Sequence, residues 1–140
     1  MSEKYHEFWC RVYYEDTDLG GIVYYANYLK FIERARSEWL RELGIDQNLL
    51  KAQNRNILVV RKIEANYLMP AKYDDVLIIK TGVKKMTGAS IVLNQDIYCV
   101  DKVIFKSFVT IVCVKIGGKV LRLPADIRRL LSDKKKNISI

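Results

Sequence analysis

Histidine and cysteine, from which most protein metal sites are made, are scarce in this chain. Its 140 residues hold one histidine, His6, and three cysteines, Cys10, Cys99 and Cys113. The cysteines are odd in number, far apart and set in strand-like apolar runs, which suits buried reduced thiols rather than disulfides or a metal site. His6, close to the amino terminus, reads as a solvent-exposed bystander. Long hydrophobic runs are also missing. Stretches such as "ILVV" at 57–60 and "VTIVCV" at 109–114 fall far short of the roughly 20 apolar residues that cross a bilayer as a helix, so no membrane span is expected. The opening "MSEKYHEFWC" is polar and carries no apolar core followed by small residues. No secretory signal is read there, and a cytoplasmic location is expected. Internal repeats, low-complexity segments and linkers are absent too. One domain over 1–140 is the expectation, of a size that buries about two thirds of its unfolded surface.

Charge is plentiful. The formal net charge is +8, from 24 basic and 16 acidic side chains, and a polyanionic partner follows from that balance. The basic residues occur as scattered pairs (Arg61-Lys62, Lys84-Lys85, Arg128-Arg129) with one run at Lys134–Lys136. With no zinc-finger or single-strand-binding signature alongside, a phosphorylated small molecule fits at least as well as nucleic acid.

Hydrophobic periodicity orders the rest. Residues 8–14 alternate, with Phe8, Cys10, Val12 and Tyr14 on one side, and predict a first strand. Tyr25, Tyr28, Leu29, Ile32, Ala35, Trp39 and Leu43 recur at steps of three and four, and Gly44 follows, so a helix is expected over 24–43. Its first half is apolar nearly all round and should be enclosed. Glu33, Arg34 and Arg36 are expected to form surface or interface ion pairs. After an irregular segment to Asn56, residues 57–68, 75–86, 90–100 and 103–115 read as four long strands. Turn signals separate them at Met69-Pro70-Ala71, Thr87-Gly88 and Asp101-Lys102. A turn at Gly117-Gly118 leads to a short helix over 124–131, and 132–140 reads as a frayed basic tail. Helices do not alternate with strands, so the class is α+β, with an antiparallel sheet curled round one long helix. Exposed sheet edges invite a second copy, and oligomerisation is expected.

The segment "YYEDTDLGGIVYYANYLKFIERARSEWL" at 13–40 crowds Glu15, Asp16 and Asp18 in front of that helix. Backbone amides without intrahelical partners gather at a helix amino terminus and favour negative charge. Gly20 and Gly21 let a carbonyl approach the main chain. A carboxylate there can act as nucleophile or as base for water, and capping accounts for an Asp before a helix equally well. Asp16 is expected to fix the turn. Tyr14, Tyr24, Tyr25 and Tyr28 read first as core aromatics; second, Tyr24, Tyr25 and Tyr28 read as an acyl-pocket lining and Tyr14 as a hydroxyl placed near the site.

The pattern Y-Y-E-D-T-D-x-x-G-x-V-Y at 13–24, followed by "ANYLKFIERARSEWL" at 26–40, resembles the signature of the hotdog-fold acyl-CoA thioesterases of the 4-hydroxybenzoyl-CoA thioesterase type. Within that family it looks closest to the bacterial branch associated with the Tol-Pal system. "VVRKIEANYLMPAKYDD" at 59–75 and the next three strands extend the likeness over nearly the whole chain. The resemblance implies an acyl-CoA thioesterase in which Asp18 is the general base or nucleophile. It also implies that the amide of Tyr25 polarises the thioester carbonyl. Gly21 and Tyr24 would then border the substrate, and Lys84, Lys85, Ser90 and Arg61, with Lys62 beside it, would meet coenzyme A. No metal and no cofactor are implied, because coenzyme A is part of the substrate. The family assembles as dimers or tetramers with sites between protomers. An acyl-carrier-protein thioesterase and a non-catalytic acyl-CoA-binding protein are the alternatives, and hotdog dehydratases, which use a catalytic His, are disfavoured. One departure stands out: members of the branch commonly carry His where this chain has Tyr25.

Overall fold

The computed structural model describes residues 5–138, with side chains through residue 132. The elements are β1 (His6–Arg11), a 3-10 turn (Tyr14–Asp16), α1 (Asn27–Glu42), α2 (Gln47–Asn54), β2 (Asn56–Tyr67), β3 (Val76–Met86), β4 (Ser90–Cys99), β5 (Lys102–Lys115), β6 (Lys119–Leu121) and α3 (Ala125–Ile138). The sheet is antiparallel throughout, in the order β1-β3-β4-β5-β2, and β6 adds to the end of β5. This is the expected α+β hotdog arrangement, a curved sheet holding one long helix in its concavity.

Strand alternation builds the wall of the core. One row of register partners, Phe8, Ile79, Ile97, Phe105 and Tyr67, crosses the five main strands. Because side chains alternate faces, the row and its neighbours two residues away point inward together. Helical periodicity supplies the other half. Tyr28, Phe31, Ile32, Ala35 and Trp39 of α1 are all buried, and Tyr28 stacks on Phe105 with ring centroids 5.3 Å apart. Truncating one of these large rings to Ala would cost about 3–5 kcal/mol.

Several boundaries differ from the sequence reading, each for a visible reason. The helix begins at Asn27 rather than 24, because the Tyr24 N–H and the Asn27 Nδ2 both donate to the Asp16 carbonyl, at 3.0 and 2.9 Å. That carbonyl, belonging to the 3-10 turn, holds residues 24–26 in a turn of their own. Tyr24 and Tyr25 therefore lie outside the helix and are exposed, while Tyr28 is core. The first strand stops at Arg11, and Tyr14, carried off by the 3-10 turn, is 83% exposed instead of packed. The segment read as irregular contains α2, capped by Asp46, whose Oδ1 accepts the Leu49 N–H at 3.0 Å. The last helix continues to Ile138, beyond the expected end at 131.

His6 is not a bystander. Its side chain is 12% exposed, and Nε2 lies 2.7 Å from Glu42 Oε2, tying β1 to the carboxyl end of α1. Nor do Glu33, Arg34 and Arg36 form ion pairs among the described residues. Glu33 accepts from Ser37 Oγ at 2.6 Å, and Arg36 Nη1 donates to Gln95 Oε1 at 2.9 Å.

Candidate functional site

The loop between β1 and α1 is fixed by its own backbone. Thr17 and Val23 face each other as a bridge, the Asp18 N–H donates to the Ile22 carbonyl at 2.9 Å, and the Gly21 N–H returns to the Asp18 carbonyl at 3.0 Å. Closing so tight a hairpin needs left-handed backbone, and Gly21 provides it at φ +81. Outside it, the Val23 N–H donates to the Ala71 carbonyl at 2.9 Å, and Ile22 bridges to Lys72. The loop between β2 and β3 thus braces the hairpin.

Two carboxylates on this loop do different work. Asp16 Oδ2 accepts the Tyr13 N–H at 2.8 Å and locks the 3-10 turn. Asp18 Oδ1 accepts the Gly20 N–H at 2.8 Å, which fixes the side chain's direction. Asp18 is exposed, and its Oδ2 has no partner among the described residues. It does not cap α1. The N-cap is Ala26, with no side-chain hydrogen bond, so the capping account of this acid fails.

At the start of α1 the Tyr25 N–H finds no acceptor among the described residues. The Tyr25 carbonyl is held by the Tyr67 hydroxyl at 3.1 Å. Burial raises the Tyr67 pKa, and the nearby Tyr25 and Tyr28 add to that, so the hydroxyl remains a donor at neutral pH. The Tyr28 hydroxyl accepts the Ala71 N–H at 3.0 Å. An uncommitted amide at the positive end of a sixteen-residue helix is a ready donor to a developing oxyanion. Sequence reasoning assigned no part to Tyr67, which ends a strand with no local signal; only the fold brings it under Tyr25.

Residues 12–131 match the Thioesterase-like superfamily. The chain belongs to that family. It is 38% identical over 129 residues to the acyl-CoA thioesterase YbgC of Haemophilus influenzae, a match spanning 91% of this chain and 95% of that one. It is 46% identical over 105 residues to the acyl-CoA thioester hydrolase YbgC of Escherichia coli, with 74% and 78% covered. Among solved structures, a probable thioesterase from Bartonella henselae superposes with a TM-score of 0.82 at 39% identity, covering 86% of this chain and 99% of that one.

In this thioesterase-family chain the basic candidates lie elsewhere. Lys84, Lys85 and Ser90 sit at the β3–β4 hairpin, nine residues up β3 from Val76, the end that borders the Asp18 loop. At about 3.3 Å per residue that is roughly 30 Å. Lys84 Nζ rests 3.8 Å from the centre of the Phe108 ring, and the Ser90 hydroxyl lies 2.8 Å from Thr87 Oγ1. Arg61 is exposed at a bulge halfway along β2, with Lys62 paired to Glu64 at 3.7 Å. Tyr14 stands beside the Asp18 hairpin with its ring edge-on to Tyr73, 6.5 Å between centroids. Tyr24 packs on Tyr25 at 5.0 Å. One chain therefore carries Asp18, Gly21, Tyr14, Tyr24 and the Tyr25 amide on the single segment between β1 and α1, and leaves Lys84, Lys85 and Ser90 at the other end of the sheet. Among the described residues no group of three or more His, Cys, Asp or Glu is placed to hold a metal ion, and no helix is long and apolar enough to cross a membrane.

Proposed function

We propose that this chain hydrolyses the thioester of an acyl-coenzyme A to the free acid and coenzyme A, in the cytoplasm and without a cofactor. The observation that carries the reading is that one loop holds both Asp18, an oriented and exposed carboxylate with one free oxygen, and the unengaged Tyr25 amide at the head of α1. As a base, Asp18 takes a proton from water, and the hydroxide adds to the thioester carbon. The oxyanion formed accepts the Tyr25 N–H, and collapse expels the coenzyme A thiolate, which is then protonated. As a nucleophile, Asp18 adds through Oδ2, expels the thiolate and leaves a mixed anhydride that water cleaves. Either route uses the same two groups, with Gly21 and Tyr24 bordering the acyl carbonyl. No imidazole assists, since His6 lies at the far end of α1.

A second copy completes the site in this reading. β2 is a twelve-residue edge strand, and among the described residues it is hydrogen-bonded on the β5 side only. A two-fold axis near its centre would pair β2 antiparallel with its own copy. Val59 shares a register level with Val112 and Ser90, and Tyr67 shares one with Phe105. The axis would carry the Lys84, Lys85 and Ser90 end of one copy to the Tyr67 and Asp18 end of the other, with Arg61 beside the axis. Those cations would then meet the phosphates of coenzyme A. Pairing of dimers into tetramers would use the remaining surface. An acyl-carrier protein presents the same thioester, so carrier-bound substrates belong in the assay.

Thiol release from a panel of acyl-CoA and acyl-carrier-protein thioesters tests the function. Release from acyl-CoA is the expected result. Binding without any thiol release would make the chain a non-catalytic binder and overturn the reading.

A further inference from the structure

Away from the Asp18 hairpin, a cavity of about 200 Å³ lies between the second half of α1 and the inward face of the sheet. Leu58, Ile91, Leu93, Ile111 and Leu131 make its lining mostly apolar. It is somewhat larger than the roughly 150 Å³ engineered cavity that holds a benzene molecule. Arg36 also lines it, with Glu33, Ser37 and Gln47 beside it on the polar side, and a charged side chain is a costly choice for such a wall.

Arg36 is held there by a buried amide. Its Nη1 donates to Gln95 Oε1 at 2.9 Å. Gln95 is fully buried, and its Nε2 donates to the Ile32 carbonyl and to Thr81 Oγ1, both at 2.9 Å. With its nitrogen committed to two acceptors, the amide can only present its oxygen to Arg36. Swinging the guanidinium away would orphan that buried oxygen. Burial lowers the Arg36 pKa, opposed by the charge of Glu33. Yet Glu33, one turn earlier, accepts from Ser37, and among the described residues Arg36 makes no ion pair. The guanidinium has five N–H donors in a planar fork, so it keeps donors in reserve for an oxygen arriving in the cavity.

We infer that this cavity receives the far end of the acyl group, and that Arg36 selects acyl chains ending in an oxygen acceptor, a hydroxyl or a carboxylate, over chains ending in a methyl. The inference rests on the acyl-CoA thioesterase reading above. Arg36 lies nine residues along α1 from Asn27, about 14 Å at the helical rise, so a chain and not an acetyl group is needed to reach it. Leu58 lies in the amino-terminal half of β2 and Val60 near its middle, and both belong to the lining. A site built to hydrogen-bond a substrate oxygen rejects the analogue that lacks it, because its own polar group is then left unpaired.

The test measures kcat/KM on matched pairs of straight-chain acyl-CoAs, one member ending in methyl and the other in hydroxyl or carboxylate. Wild type should prefer the oxygen-ended member by about tenfold or more. Arg36→Met keeps an unbranched side chain and removes the donors; the ratio should fall to near one, whereas Arg36→Lys should retain part of it. A purely structural Arg36 would lower thermal stability and reduce both members of each pair equally, leaving the ratio intact and sinking the inference. Should Arg36→Met fail to fold, Gln47→Phe narrows the cavity from the exposed start of α2, away from the β2 edge, and keeps the Arg36–Gln95 contact. It should cut the ratio of long-chain to short-chain kcat/KM by about tenfold, and an unchanged ratio would also overturn the inference. A wild type that cleaves no acyl-CoA refutes the thioesterase reading itself, an outcome distinct from cleavage without preference.

Discussion

Asp16 and Asp18 stand two positions apart and commit their carboxylates differently. Asp16 holds the Tyr13 amide and its carbonyl anchors the entry to α1; Asp18 holds only Gly20, within its own hairpin. Asp18→Asn keeps an oxygen for the Gly20 N–H while removing the charge. It should therefore fold with an unchanged melting temperature and lose about 10²-fold or more in kcat. Asp16→Asn should act mainly on stability and affect kcat much less. Full activity in Asp18→Asn, measured on a preparation whose melting curve matches wild type, would remove Asp18 from the mechanism. A second residue-scale expectation concerns pH. Burial raises the Cys10 thiol from 9.0 to about 11, with Asp16 adding slightly and Arg34 opposing. The folded chain thus keeps a proton that the unfolded chain releases near pH 9. This contribution is complete below pH 9 and is lost as the pH climbs towards 11. Urea midpoints should fall over that range, and Cys10→Ala should fall less steeply. Equal slopes for the two proteins would mean that the thiol is not buried enough to matter.

At the scale of elements, what could be read in advance was whatever one periodicity controls. Four long strands and the body of α1 follow from alternation and from the three-and-four spacing, because each buries one face against a single partner surface. The entry to α1 was misplaced because a tertiary hydrogen bond to the Asp16 carbonyl overrides a run of aromatics that looks helical. α2 was missed because "QNLLKAQN" offers only Leu49 and Leu50 as large apolar residues, and because its end lacks glycine: Arg55 takes the left-handed position at φ 58. That position makes a clean test. Arg55 is exposed, its carbonyl accepts the Ile116 N–H, and a glycine would keep that bond. Arg55→Gly should stabilise the fold by about 1 kcal/mol, or roughly 3 °C in Tm for a chain of this size. Asp46→Ala, which removes the cap at the other end of α2, should cost about 1 kcal/mol. No gain from Arg55→Gly would mean that the turn relaxes in solution.

For the whole molecule, the motif could point to Asp18 and the Tyr25 amide because they lie on one continuous loop. It could not reveal how the coenzyme would be held. Lys84 and Lys85 are close to Asp18 in no single chain, and a sequence carries no direct record of a symmetry axis. If the two-fold pairing at β2 is correct, the site draws Asp18 from one copy and the lysines from the other, which makes a sharp prediction about mixtures. Asp18→Asn and the double variant Lys84→Ala/Lys85→Ala should each show low kcat/KM alone, the first through kcat and the second through KM. After subunit exchange half the dimers are mixed, and in each of those one site carries both defects while the other carries neither. The mixture should recover about a quarter of the wild-type kcat/KM, well above the mean of the two parents. If each chain instead supplied its own lysines, every site would keep one defect, and mixing would give only the average of the parents. Activity at low substrate concentration, followed over the time course of exchange, separates the two arrangements, and a mixture that never rises above the parental mean would place the entire site within one chain.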